Sequence, residues 1–100
     1  MNTQDLEALE HLLDEADEQK RTLRLHFVNG EIYELRGFSI AQDIGEEYPH
    51  CTGVLVVRIV QASEEKRRLF PPEFALFFHL EDVILVQEVE TEKTLFQSGQ

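Results

Sequence analysis

The apolar positions of this chain shift from a helical to a strand period at about residue 20. Before that point Leu6, Leu9, Leu13 and Ala16 recur at intervals of three and four, with Leu12 widening the stripe. That spacing predicts an amphipathic helix over 3–19. Asn2 followed by Asp5 resembles a capping box, with Asp in place of the usual Glu or Gln. Asp17 and Glu18 approach the negative end of the helix dipole, so fraying is expected near Gln19. A helix of this length is marginal alone in water, and its stripe needs a surface to cover.

Period two begins at Leu23, where Leu23, Leu25 and Phe27 alternate with Arg24 and His26. Asn29-Gly30 carries the signature of a two-residue type I′ hairpin turn. Counting outward from such a turn pairs Val28 with Glu31, Phe27 with Ile32, His26 with Tyr33 and Leu25 with Glu34. Both faces of that hairpin then carry apolar groups, which suits a strongly curved sheet. Residues 43–52 read as a polar loop, and VLVVRIVQ (54–61) as a central strand interrupted only by Arg58. A charged turn over 62–66 and a returning strand over 67–70 follow.

Pro71-Pro72 stop that strand, because proline lacks a ladder donor and restricts the residue before it. Two readings then compete. A helix would gather Phe74, Phe77 and Phe78 on one side. A strand would alternate Phe74, Leu76, Phe78 and Leu80 with Ala75, Phe77 and His79. The absence of polar residues from 74 to 78 favours a turn at PPEF and a strand from about Leu76. A corner at 80–82 and a last strand, VILVQEVE, complete the pattern, with 97–100 as a flexible tail.

The sum is a single domain over 1–100, mainly β with an N-terminal helix. Its core would be a small curled antiparallel sheet or an SH3-like barrel of about five strands over 21–92. At 100 residues such a chain can build one modest core.

Charge narrows the choice of partners. Twenty acidic residues against nine basic ones give a net charge of −11, which repels phosphate backbones and anionic lipid. Direct nucleic-acid binding and membrane association are disfavoured; a basic protein partner or self-association fits. The one cysteine, Cys51, excludes an internal disulfide and suits the cytoplasm.

Candidate chemistry is sparse. His50-Cys51 follows Glu46 and Glu47, but no second cysteine or spaced histidine completes a zinc set, so no metal, cofactor or catalytic group is assigned. His11, His26 and His79 fall in other elements. Glu88, Glu90 and Glu92 alternate as on one strand face and could meet a basic partner. Phe74, Phe77 and Phe78 offer more apolar surface than one strand face can bury, which points to helix cover or a second subunit. Tyr33, Arg58 and His79 could line a ligand cavity.

The helix, the hairpin LRLHFVNGEIYELRGF and the closing FFHLEDVILVQEV resemble the Sm-like small-barrel architecture over residues 5–90. Sm-like proteins commonly form rings and bind RNA, and degenerate members bind proteins. Val28-Asn29-Gly30 matches the family's first turn, whereas Ile59 stands where a glycine would follow Arg58, and no Asp-to-Asn pair occurs near Asp43. The resemblance therefore implies the barrel without the RNA site. The leading expectation is a non-enzymatic acidic interaction module, with homodimerisation as one form its self-association could take. The alternatives are a small-molecule-binding barrel or minor enzyme with an aromatic pocket, and an acidic nucleic-acid mimic.

Overall fold

The computed structural model describes residues 2–69 and 75–98. Helix α1 (Thr3–Glu18) begins where Asn2 Oδ1 accepts the Asp5 N–H at 2.8 Å. It buries Leu9, Leu13 and Ala16, the apolar stripe of the sequence. The helix ends in a Schellman closure. Arg21 N–H bonds the Ala16 carbonyl at 2.9 Å and Lys20 N–H that of Asp17 at 3.1 Å. Lys20, at φ 55°, holds the left-handed position that glycine usually takes.

Seven strands follow: β1 (Leu23–Phe27), β2 (Ile32–Arg36), β3 (Ser39–Ala41), β4 (His50–Gln61), β5 (Ala75–His79), β6 (Val83–Glu88) and β7 (Thr94–Gln97). They form one antiparallel sheet in the order β3-β4-β2-β1-β6-β7, with β5 also paired to β4. Helix α1 packs against β3, β7 and the 3-10 turn Leu80–Asp82.

A five-stranded SH3- or Sm-like barrel does not form. The sheet is open and not strongly curled. Closure would need a ladder between β5 and β6, but β6 already pairs with β1 along one edge and β7 along the other. Phe78 of β5 reaches β1 only through its side chain, edge-on to Phe27 with ring centroids 5.0 Å apart. The likeness to Sm-like proteins fails at the level of architecture.

The hairpin register explains why curvature is not required. Phe27 N–H bonds Glu31 O at 2.9 Å, and Gly30 N–H bonds Phe27 O at 2.9 Å. The loop is therefore three residues, Val28 to Gly30, with only Gly30 at positive φ (89°), the pattern of a turn closed by a G1 bulge. Leu25 consequently faces Tyr33 rather than Glu34, and Arg24 faces Glu34. A one-residue slip exchanges the faces of a strand. The observed register sends Leu23, Leu25, Phe27, Tyr33 and Leu35 to the core together.

Three further expectations are corrected. Residues 50–52 open β4 rather than close a loop, held between β3 and β5. Helix α2 (Glu64–Leu69) replaces the charged turn and returning strand. Ser63 starts it, its Oγ accepting the Lys66 N–H at 3.2 Å. Gln97 closes β7 instead of opening a tail, and Ser98 N–H still bonds Ile84 O at 2.9 Å. Phe70, the turn at Pro71-Pro72 and Phe74 lie outside the described residues. No helix among the described residues is long and apolar enough to cross a membrane.

Candidate functional site

Val28 and Asn29 of the β1–β2 turn and residues 76–79 of β5 border an open groove of about 400 Å³. Its apolar wall comes from Val28, Leu76, Phe77 and Phe78. Phe78 points inward and is buried, whereas Phe77, one residue along the strand, is 53% exposed. Val28 is 66% exposed at the opposite rim. Among the described residues α1 packs on β3, β7 and the turn at 80–82 rather than extensively on β5.

The polar side of the groove carries Glu31, Tyr33, Lys66, His79 and Asp82. Lys66 Nζ pairs with Glu31, and Tyr33 Oη donates to Glu31 Oε1 at 3.1 Å. Burial opposes ionisation of Glu31, yet hydrogen bonds from Lys66, Asn29 and Tyr33 hold its carboxyl below the usual range. Burial, with the Glu31 charge beside it, pushes the Tyr33 phenol up to about 12. Tyr33 is thus a neutral donor at physiological pH, not a general base.

A second cluster adjoins the groove. The turn Asp43 to Glu46 is closed by Glu46 N–H on Asp43 O at 3.1 Å, with Gly45 at φ 93° in the third position. That angle is the one a type II turn demands, and it favours glycine. The turn brings the Glu46 carboxylate back to accept Asp43 N–H at 2.8 Å and His50 Nδ1–H at 2.9 Å. The Asp43 backbone bond first, and then His50, hold the Glu46 carboxyl below its ordinary range. His50 is only 6% exposed and stands opposite His79 in the β4–β5 ladder. Their ring centroids are 6.3 Å apart, with Phe77 4.9 Å from His50 and 5.1 Å from His79.

Of the ligand residues expected from sequence, Tyr33 and His79 meet at the groove and Arg58 does not. Arg58 lies on the solvent face of β4, 3.8 Å from Glu34. The acidic trio does not share a strand face. Glu88 ends β6 and pairs with Arg21 at 3.2 Å, Glu90 lies in the following turn, and Glu92 pairs with Arg24 at 3.3 Å. Phe77 is the exposed member of the phenylalanine set, and Phe74 is outside the described residues.

From the sequence alone His50 and His79 fall in separate elements with nothing local to join them. The signal that joins them is register, set by a β4 that starts four residues before its apolar run. Cys51 turns the other way, into the core. Burial, aided by Asp14 and Asp17 of α1, pushes its thiol up to about 12, so it is neither a nucleophile nor a ligand at neutral pH. Comparison with protein-family models, with characterised proteins and with solved structures gives no match.

Proposed function

We propose that this chain is a non-enzymatic binding module whose groove beside β5 receives an apolar side chain from a basic protein segment. The observation that carries the reading is Phe77, half exposed at the rim of a 400 Å³ groove in a chain of net charge −11. Exposed aromatics at the edge of a concave surface are common anchors of protein recognition. Among the described residues β5 is paired to β4 along one side only, so an extended segment can add beside it while a side chain enters the groove. Asp82 and the surrounding negative field favour lysine or arginine next to that side chain. A buried, reduced Cys51 fits a cytoplasmic setting for the encounter. The nucleic-acid-mimic reading has less support, because Glu31, Glu34, Glu88 and Glu92 are already paired with basic residues of the same chain.

Fluorescence polarisation tests this with labelled peptides carrying one Phe or Leu between lysines, alongside the same peptides with Ala at that place. The proposal requires saturable binding that weakens with salt and at least about tenfold on either Phe77→Ala or the peptide Ala change. Binding indifferent to both changes would reduce the interaction to charge alone and overturn the groove reading. A concentration-dependent dimer in sedimentation that shields Phe77 would assign the same surface to a second copy instead.

A further inference from the structure

We propose that Asp43, Glu46 and His50, with His79 beside them, form a binding site for a divalent transition-metal ion of the zinc class. One ligand atom from each of Asp43, Glu46 and His50 lies within 4.8 Å of the other two. In tetrahedral zinc the bonds of 2.0–2.2 Å place ligand atoms about 3.4 Å apart. His50 Nδ1 and Glu46 Oε2, now 2.9 Å apart, need to open by only about half an ångström to admit an ion between them.

The donor set is more than an exposed acidic patch. His50 is buried, and its backbone is fixed by Ala41 of β3 on one side and His79 of β5 on the other. Imidazole with carboxylates suits zinc and its neighbours, whereas calcium and magnesium prefer all-oxygen shells. His79, the ladder partner of His50, stands outside this trio with its ring centroid 6.3 Å from that of His50, and a change of its rotamer would bring it in as a fourth donor. The Phe77 ring covers one side of His50, shielding it from water. On binding, the imidazole proton moves from Nδ1 to Nε2, leaving Nδ1 free for the metal.

This inference does not depend on the groove reading. Zinc titration measures it without any peptide, so either proposal can fail alone. The test is calorimetric titration of Zn²⁺ into the full chain after chelator treatment, with the visible absorbance of Co²⁺ reporting ligand geometry. One ion per chain is expected, with the intense ligand-field bands of four-coordinate cobalt. Asp43→Asn keeps the backbone bond to Glu46, and His79→Gln keeps the strand. Each is expected to weaken zinc at least about tenfold while circular dichroism stays unchanged. His11→Gln removes an exposed histidine beside Glu15 on α1 and is expected to leave affinity unchanged. Absence of saturable binding would overturn the proposal. So would affinity indifferent to both Asp43→Asn and His79→Gln, or affinity lost with His11→Gln.

Discussion

Arg24 and Glu34 stand opposite each other across the β1–β2 ladder, with Nη2 and Oε2 3.0 Å apart on the outer face of the sheet. Glu34 is only 5% exposed, and Arg58 approaches the same oxygen at 3.8 Å from β4. The hydrogen bond to Glu34 comes first among the interactions that raise the Arg24 pKa. One carboxylate of β2 therefore lies between two arginines from the strands on either side, closely paired with Arg24 and more loosely with Arg58.

Glu34→Gln keeps the shape and removes the charge. Urea unfolding is expected to show a loss of roughly 1–3 kcal/mol, since Arg24 would keep a poorly solvated guanidinium with only the exposed Glu92 as its anion. Arg58 is 66% exposed in its side chain, and Arg58→Ala should cost less than about 1 kcal/mol. Equal losses would show that the Arg24–Glu34 pair contributes no more than an exposed one.

Tyr33 couples stability to alkaline pH. Its phenol is pushed up to about 12 in the folded chain, against roughly 10 when unfolded. The neutral form is thus favoured by folding. That contribution is fully present below about pH 10 and is lost as pH rises towards 12, by an amount on the order of 2 kcal/mol. Urea midpoints at pH 9 and pH 11.5 should fall less for Tyr33→Phe than for the wild type. The subtraction matters because Cys51, also raised, loses stability in the same direction. Parallel falls in the two proteins would show that Tyr33 titrates as it does in the unfolded chain.

The hairpin loop separates two turn chemistries by mutation. Asn29 does not adopt positive φ, and its Oδ1 accepts Glu31 N–H at 3.0 Å. Asn29→Ala should cost no more than about 1 kcal/mol, the worth of one exposed hydrogen bond. Gly30→Ala should cost at least as much, because an L side chain is strained at φ 89° even though a Cβ there meets open space. A type I′ turn would strain both positions. Thermal or urea unfolding in which Asn29→Ala is the more damaging change would argue for that geometry.

This loop also marks where the sequence stops being legible. The stripe of α1, the alternation of β1 and the corner at 80–82 follow from local period and capping, and all are visible in the chain. The number and pairing of strands are not local properties. Asn-Gly fits both a two-residue and a three-residue loop, and the choice between them decides whether Leu25 faces Tyr33 or Glu34. A two-residue loop gives two mixed faces and, from them, a curled barrel; the three-residue loop gives neither. Strand β7 lacks a long apolar run, with only Leu95 and Phe96 turned towards neighbours, yet its pairing keeps the sheet open. The meeting of His50 with His79 depends on the same long-range register, which composition does not encode.

Lys20 offers a stabilising change. Its φ of 55° at the α1 terminus is a conformation that costs a side-chain-bearing residue about 1 kcal/mol and glycine almost nothing. The Schellman bonds from Lys20 and Arg21 to Asp17 and Ala16 are made by the backbone, so Lys20→Gly leaves them in place. Two terms oppose the gain: a more flexible unfolded chain, and the loss of a cation near the negative end of the helix, worth about 0.3 kcal/mol when exposed. The relief of strain is the larger, and Lys20→Gly is expected to raise stability by roughly 0.5 kcal/mol in urea unfolding. Lys20→Ala removes the same charge but keeps the strain, so it should give no gain. The difference between these two variants isolates the backbone contribution. A Gly variant no more stable than the Ala one would show that the left-handed terminus is not strained in solution.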